Sequence, residues 1–420
     1  MSKSLTLGGA GFRRYWSFIA GAGMITASVM TIRHFYNANF PVSIFKGAFC
    51  DINSFFNCDS SAYSPIAHFH GVPMGFFGMM AGALVVLGTL FPSASFERTN
   101  KFLGYLNALG VLGLLVYSLF FLKSLCLLCT GYYVFSLLSF ALFWKYGVPL
   151  GFPSLKVLAV AAVVFLAGAR GFQLFYGARQ QAQLGGVAAS VVREYGGLAE
   201  VPDPSFISPF WTARSTERFE DAPIRIVEYA DFLCPDCLVL YRELKQLKRE
   251  YAGRINIAFQ FFPLEAKCNA VVDKDLHPGA CDLARLAAAD PAKFPAIHDE
   301  IFENFGKAKD PEWRARLARN YGLEAALTDP AVKDLVQRII NTGAEYEKTS
   351  DRYAHGIRST PTMIINGKLV IGTLPYGHLK AIIESELTKK APAAGEHKFM
   401  ENWVSAPPVK AKKAPVEPKN

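Results

Sequence analysis

Residues 224–237 read IRIVEYADFLCPDC, and this stretch decides the fold of the C-terminal half of the chain. A short apolar run rich in β-formers, Ile224–Tyr229, leads into a Cys-Pro-Asp-Cys motif. A helix with charged and apolar faces, Asp236–Tyr251, begins at that motif, and a second apolar run, Ile255–Phe262, follows it. The order predicts a strand-helix-strand unit with a cysteine pair at its first junction.

The Cys234-Pro235-Asp236-Cys237 motif is the most specific signal in the chain. Pro235 suits the first turn of a helix, where its missing N–H is not needed. Cys234 then lies at the positive end of the helix dipole, which stabilises its thiolate and predicts an exposed nucleophile. Cys237, one turn later, is the expected resolving thiol. A zinc half-site or an inert disulfide is the alternative, but this domain has no second CxxC or CxxH to complete a zinc site.

The elements after the second strand complete the predicted domain, residues 223–390. A mostly helical stretch runs from residue 279 to about residue 354. Thr362–Ile365 and Lys368–Ile371 then flank Asn366-Gly367, a strong hairpin signal, and a helix over Tyr376–Leu387 closes the domain. A cysteine pair at the first turn of such an α/β unit predicts a thioredoxin-like fold with a helical insertion.

This domain resembles the DsbA-like thioredoxin-fold disulfide oxidoreductases of the periplasmic oxidase type. Residues 228–237, the helical insertion and Ser359-Thr360-Pro361-Thr362 carry the resemblance. It implies a cis bond between Thr360 and Pro361, beside the active disulfide, where a substrate backbone binds. Strongly oxidising members have His where this chain has Asp236. Because a carboxylate disfavours a neighbouring thiolate, we expect a couple less oxidising than about −120 mV.

The N-terminal half is apolar in long stretches. Half of the 420 residues are hydrophobic, and several charge-poor stretches are long enough to cross a hydrocarbon core of about 30 Å. The first stretch lacks a cleavage site and is read as a retained helix rather than a signal peptide. Together they predict an integral membrane all-α domain, residues 1–177, with five transmembrane helices. These helices are expected at Tyr15–Phe35, Val72–Phe91, Phe102–Leu122, Leu125–Trp144 and Ser154–Phe175.

Lysine and arginine in the short loops predict the orientation. Basic residues precede helix 1 and lie between helices 2 and 3 and between helices 4 and 5, so these ends are expected to face the cytoplasm. Cys50, Cys58, Cys126 and Cys129 then share the outer side with the C-terminal domain. That side permits disulfides. The net charge of +9 reflects these loops and a Lys-rich tail, and nucleic acid is not an expected partner.

The cysteines of the N-terminal half form two pairs, and the sequence around them resembles a second family. Cys126-Leu127-Leu128-Cys129 opens helix 4, where cysteines three apart share a face and can close a disulfide; buried thiols are the alternative. With Cys50-Asp51-Ile52-Asn53-Ser54, Cys58, Ser64, Gly71-Val72-Pro73 and Gly78, residues 15–150 resemble vitamin K epoxide reductase (VKOR) and its bacterial homologues. Members of that family also occur fused to a thioredoxin-like domain through a fifth helix.

The resemblance implies a four-helix bundle around a quinone, followed by the fifth helix, and it implies roles for individual residues. Cys50 accepts electrons from the soluble domain, Cys58 passes them to Cys126, and Cys129 lies nearest a quinone, ubiquinone or menaquinone. Ser64 helps to position the loop. Tyr133 stands where family members place a residue that contacts the quinone ring. The animal enzymes have an Asn near the start of helix 2, and its absence from residues 72–77 favours plain quinone reduction over epoxide chemistry.

Other segments carry weaker predictions. Cys268 and Cys281 are read as a structural disulfide, with an auxiliary redox pair as the alternative. His68 and His70 lack a third ligand, so no metal site is predicted. Residues 178–222 are read as a linker without sustained periodicity, and residues 391–420, rich in Lys, Pro and Ala, as a disordered tail.

These observations predict an enzyme of the bacterial inner membrane, with a cytoplasmic N-terminus, that forms disulfides in reduced exported proteins. Electrons would pass from Cys234–Cys237 through Cys50–Cys58 and Cys126–Cys129 to the membrane quinone pool. Two alternatives stay open. The flow could be reversed, making the chain a reductant or isomerase feeder, or the cysteines could serve a metal- or thiol-sensing membrane protein that is not an enzyme.

Overall fold

The computed structural model describes residues 7–41, 55–149, 151–184, 186–348, 356–389 and 397–400. The chain divides after Val187 into two compact units, a helical unit and an α/β unit. The described residues confirm the predicted fold class of long apolar helices followed by an α/β domain with a helical insertion.

Apolar helices dominate the helical unit: α1 (Leu7–Asn39), α3 (Met74–Leu90), α4 (Ala94–Tyr117), α5 (Leu127–Tyr146) and α6 (Leu155–Leu184). A π-helical turn, Ser118–Leu122, extends α4. Among the described residues, four helices are long and apolar enough to cross a membrane, namely those within α1, α4 with its π-turn, α5 and α6. The fifth, α3, has 17 residues, at the short end of the usual spanning length.

The start of α3 differs from the prediction, which begins this helix at Val72. Val72–Pro73 (β2) instead pairs with His68–Phe69 (β1) as a small antiparallel ribbon. Pro73 is the N-cap of α3 and has extended backbone angles. The turn between these strands, with Gly71 at φ +81°, directs the chain into the helix.

Small residues bring α1 and α3 close together. A Cβ at Gly82 would lie 2.9 Å from the carbonyl oxygen of Gly21, and a Cβ at Gly75 would lie 2.9 Å from that of Ser28. Both distances are too short for any side chain. Glycine at these positions therefore lets the two backbones meet, as small residues do at helix interfaces in membranes.

The described strands of the α/β unit form one sheet in the order β3-β5-β4-β6-β7. Its centre is a parallel pair, β4 (Ile224–Ala230) and β5 (Ile255–Phe261), joined by α8 (Pro235–Glu250). All residues of both strands are buried, as expected for strands covered on both faces. The hairpin of β6 (Thr362–Ile365) and β7 (Lys368–Ile371) adds antiparallel to β4.

Helices complete this unit. The insertion between β5 and β6 contains α9 (Ala280–Ala288), α10 (Phe294–Glu303), α11 (Phe305–Ala308), α12 (Pro311–Tyr321) and α13 (Pro330–Asn341). The closing helix, α14 (Tyr376–Leu387), has the predicted bounds. Asn366 and Gly367, in the hairpin turn, both have positive φ angles, which Asn and Gly tolerate best.

Two segments differ from their predictions. The predicted linker, residues 178–222, contains the end of α6, a further helix α7 (Gly186–Gly196) and the edge strand β3 (Trp211–Ala213), which pairs with β5. Three residues are too few to show a period, so only pairing reveals this strand. In the predicted tail, the backbone N–H of Met400 donates to the carbonyl oxygen of Asp203 at 2.8 Å. Residues 391–396 and 401–420 of that tail lie outside the described residues.

Candidate active sites

The Cys-Pro-Asp-Cys motif lies where β4 passes into α8. Cys234 is the N-cap of the helix, with extended backbone angles, and Pro235 occupies the first helical position. The Cys234 and Cys237 thiols are free, and both residues are buried. Cys234 is only 5% exposed, so the predicted exposed nucleophile is wrong for this state.

The cover over Cys234 comes from a distant part of the chain. Its Sγ donates a hydrogen bond to the carbonyl oxygen of Thr360 at 3.3 Å, and the Thr360–Pro361 bond is cis. A helix start is a local pattern of sequence, so it does not reveal contact with this distant loop. The geometry places the reactive sulfur against the backbone edge where the resemblance expects a substrate strand to bind.

Cys237 lies deeper than Cys234. It is fully buried, and burial, together with the hydrogen bond and charge of Cys234, raises its pKa well above the ordinary value. The raised pKa keeps this resolving thiol protonated until it reacts with the Cys234 sulfur. The two sulfurs of the pair therefore lie in different surroundings, Cys234 against Thr360 and Cys237 fully buried.

Glu228 is a titrating residue that the sequence motifs did not indicate. It lies in β4, is 1% exposed, and burial raises its pKa to about 7, although the charge of Lys248 opposes the rise. The available signal was an acidic residue inside an apolar strand. A carboxyl with such a pKa is one that can exchange a proton near neutral pH.

In the helical unit, Cys126 is the N-cap of α5. Its Sγ accepts a hydrogen bond from the backbone N–H of Cys129 at 3.4 Å, and both thiols are free. Cys58 packs against Cys126, and both are buried; Leu128 and Cys129 lie beside them. Cys58 is disulfide-bonded. The predicted partner, Cys50, lies outside the described residues.

Backbone pairing places Cys58 on Cys126. Phe56 and Leu125 form a parallel bridge, in which Leu125 donates to Phe55 and Asn57 donates to Leu125. After Cys58 the chain turns into the short helix α2 (Asp59–Ala62).

The end of α1 holds α2. His34 Nε2 lies 3.0 Å from an Asp59 carboxylate oxygen, and the Asn39 side chain donates to the carbonyl oxygen of Ala62 at 3.0 Å. Cys58 is thus anchored on both sides along the sequence.

Protein-family models match both parts of the chain. The vitamin K epoxide reductase family model matches residues 16–144, and a thioredoxin family model, Thioredoxin_4, matches residues 219–385. The chain joins a VKOR family membrane domain to a DsbA-like thioredoxin domain. Both are thiol-disulfide oxidoreductase families, so this multi-pass membrane protein is a thiol-disulfide oxidoreductase.

Individual proteins are similar to parts of the chain. Disulfide bond formation protein D of Bacillus subtilis is 26% identical over 181 residues, which cover 41% of this chain and 76% of that protein. Na(+)/H(+) antiporter NhaA 1 of Mycolicibacterium gilvum is 28% identical over 206 residues; these are 45% of this chain but only 31% of the antiporter.

Solved structures are similar to the chain at low overall scores. Oxidised BdbD from Bacillus subtilis is 21% identical, with a TM-score of 0.34, 45% of this chain covered and 99% of that one. A periplasmic thioredoxin-like protein from Salmonella enterica serovar Typhimurium is 17% identical, with a TM-score of 0.33, 44% of this chain covered and 94% of that one.

Two further predicted residues lie in the VKOR domain. Ser64 is buried after α2, where its Oγ donates to the carbonyl oxygen of Ser61 at 2.9 Å and closes the turn. Tyr133 lies one turn after Cys129 on α5 and is 8% exposed. Both therefore lie on the segments that carry Cys58 and Cys129.

In the thioredoxin domain, Cys268 and Cys281 form a disulfide that joins the loop after β5 to the first turn of α9. Cys281 is fully buried, and its backbone N–H donates to the Glu265 carboxylate at 2.8 Å. This pair is separate in sequence from the Cys234–Cys237 motif.

Proposed function

We propose that the chain oxidises thiols of exported proteins at Cys234–Cys237 and relays the electrons through Cys50–Cys58 and Cys126–Cys129 to a quinone. The packing of Cys58 on Cys126 is the observation that carries this proposal. It brings a sulfur from the loop pair to a sulfur of the helix pair, which are otherwise separated by 68 positions of sequence.

The first reaction takes place in the thioredoxin domain. A substrate thiolate attacks the Cys234 sulfur of the oxidised pair, forms a mixed disulfide and releases Cys237 as the leaving thiolate. A second substrate thiolate then displaces Cys234. The substrate gains a disulfide, and the pair keeps two electrons and two protons as thiols. The contact of Cys234 with the carbonyl of Thr360 supports a substrate backbone that binds along this edge.

The second reaction takes place in the VKOR domain. Cys58, once reduced, attacks Cys126 of the oxidised helix pair and releases Cys129 as a thiolate; Cys50 then resolves the Cys58–Cys126 bond. Cys126 stands at the N-terminus of α5, where the helix dipole stabilises a thiolate. The anchored position of Cys58 makes it the stationary partner in this exchange.

The residues around Cys129 fit a quinone. Tyr133 supplies a buried hydroxyl on the same helix, and the Ser124 Oγ is buried without a hydrogen-bond partner in the described part of the chain. Cys129, Tyr133 and Ser124 would hold the ring. When bound, a quinone supplies an acceptor for two electrons and two protons. The chain can present thiols to it and exclude water by the apolar helices.

The proposed location follows from the loop charges. Basic loop ends on the cytoplasmic side place the N-terminus inside and the cysteine pairs outside, in the periplasm or an equivalent compartment. Reduced exported proteins and the quinone pool, ubiquinone or menaquinone, are the proposed partners. This placement allows disulfides to persist where they form.

The test uses the purified full chain in lipid nanodiscs with a reduced substrate protein and ubiquinone-1. Quinol formation and substrate thiols are followed together. We expect quinol to form in step with thiol loss, and each variant, Cys234→Ser, Cys58→Ser and Cys129→Ser, to lower the rate at least a hundredfold. A chain with both Cys268 and Cys281 changed to Ser is the matched control and should stay active.

Two results would contradict the proposal. Substrate disulfides that are reduced instead of formed would indicate reversed electron flow. Retention of quinol formation without Cys58 would remove the loop pair from the relay.

A further inference from the structure

A buried carboxylate stands beside the active cysteines. The Asp231 side chain is 0% exposed. It accepts hydrogen bonds from the backbone N–H groups of Leu233 and Leu264, both at 2.6 Å. Its Oδ2 also lies 2.8 Å from Nδ1 of His277, which is itself buried. A buried charge is stable only with such partners, because burial removes its water.

The backbone of Asp231 contacts both cysteines. Its N–H points at the Cys237 Sγ at 3.5 Å, and its carbonyl oxygen accepts the backbone N–H of Cys234 at 3.1 Å. The charge of Asp231 also contributes to the raised pKa of Cys237. Any displacement or change of charge at Asp231 therefore acts on the Cys237 sulfur and on the backbone that positions Cys234.

His277 reaches Asp231 from the loop between β5 and α9. Its backbone N–H donates to the carbonyl oxygen of Leu264, and its carbonyl accepts the N–H of Ala280, both at 3.0 Å. The Cys268–Cys281 disulfide closes this loop. The imidazole is thus held in place from both sides.

We propose that His277 is a positioning residue for the Cys234–Cys237 couple. Its Nδ1–H donates to the Asp231 carboxylate, compensates the buried charge and holds Asp231 against both cysteines. Without this bond, the carboxylate keeps two backbone donors and presents more negative charge to the sulfurs. Negative charge disfavours thiolates, destabilises the reduced pair and makes the couple less oxidising.

This inference rests on the proposed thiol exchange at Cys234–Cys237 but not on electron transfer to a quinone. The measured reaction is the pair's disulfide with two glutathione thiols, giving the dithiol and oxidised glutathione. The background is the full chain with Cys50, Cys58, Cys126 and Cys129 changed to Ser. Mass-tag alkylation across glutathione buffers gives the equilibrium constant of the remaining exchanging pair.

In that background, His277→Leu should shift the equilibrium at least tenfold toward the disulfide, a potential lower by about 30 mV. His277→Asn keeps a donor near the Nδ1 position and should restore the equilibrium to within threefold. Asp231→Asn removes the charge and should shift the equilibrium at least threefold toward the dithiol. The double variant Asp231→Asn/His277→Leu should lie within threefold of Asp231→Asn alone, because His277 acts through the Asp231 charge.

His378→Leu is the matched control. His378 is another fully buried histidine of this domain, and burial lowers its pKa to about 4, so it is neutral there. Its replacement should leave the equilibrium unchanged. Equal shifts in His277→Leu and His277→Asn, or no shift in a folded His277→Leu, would overturn the inference.

If His277→Leu does not fold, the other two single variants decide. His277→Asn should stay within threefold of the background, and Asp231→Asn should shift the equilibrium toward the dithiol. A background pair that fails to exchange with glutathione at all would instead defeat the proposed function itself.

Discussion

The backbone N–H of Asn57 donates to the carbonyl oxygen of Leu125 at 3.1 Å, and this bond sets Cys58 beside Cys126. A loop residue is thereby tied to the residue that precedes the helix pair. In the proposed relay, sulfur exchange between the two pairs then needs little movement of Cys58.

The position of Cys58 predicts a trapped intermediate. With Cys50 and Cys129 both changed to Ala, Cys58 and Cys126 are left without their own partners, and mild oxidation by diamide should join them in most molecules. Peptide mapping by mass spectrometry measures the cross-link. Changing Cys58 to Ala in the same background should abolish it. Two persistently free thiols in the folded protein would contradict the packing.

Close backbone contact between α1 and α3 predicts a glycine requirement. Gly82→Leu should destabilise the membrane domain by about 2 kcal/mol, because a Cβ there would meet the carbonyl oxygen of Gly21 at 2.9 Å. Unfolding in increasing SDS measures the loss. Gly104→Leu on α4 is the matched control, since a Cβ there has nothing within 4 Å. Equal effects of the two substitutions would argue against this helix contact.

The Cys268–Cys281 bond predicts a stability effect without loss of exchange. Its cysteines are 13 positions apart, and opening a loop of that size costs about 3 kcal/mol. The double change to Ser should lower the free energy of unfolding in urea by that amount and keep more than half of the substrate-oxidation rate. Unchanged stability with lost oxidation would favour an auxiliary redox pair instead.

Glu228 predicts a pH dependence of stability. Burial raises its pKa from 4.5 to about 7. Below pH 4.5 the carboxyl is protonated in both states. As the pH rises from 4.5 to about 7, it ionises in the unfolded chain but stays protonated in the folded one, so the free energy of unfolding falls; above about 7 both states ionise and the loss is complete. Glu228→Gln cannot ionise and so lacks this loss. The free energy of unfolding of the variant minus that of the parent chain should therefore rise by about 3 kcal/mol between pH 4 and pH 8. Urea unfolding at both pH values measures it, and a constant difference would refute the assignment.

Asp236 predicts the strength of the oxidant. A carboxylate next to Cys234 disfavours its thiolate, so the couple should have a potential below about −120 mV. Asp236→His should raise the potential by at least 30 mV, a tenfold change in equilibrium with glutathione. Asp236→Asn removes the charge without adding an imidazole. Its potential should lie between those of the parent chain and of Asp236→His. A parent value at or above about −120 mV would contradict this expectation.

Much of the architecture could be predicted from short stretches of sequence. The strand-helix-strand order around residues 224–261 and the Asn366-Gly367 turn were readable because their residues interact with near neighbours in sequence. The three residues of β3 were not readable, since their only evidence is pairing with β5. Similarly, the end of α3 could be placed from apolar length, whereas its start depends on the β1–β2 ribbon.

By itself, the amino-acid sequence determined the two domains, the apolar helices and the cysteine pairs, because hydrophobic length, helix starts and CxxC spacing are local properties. Only the tertiary structure decided that Cys234 is covered by Thr360, that Cys58 meets Cys126, and that His277 contacts Asp231. Each of these contacts joins residues 46 or more positions apart. Such contacts form because burying sulfur and charge requires partners, and the folded chain, not the local pattern, supplies them.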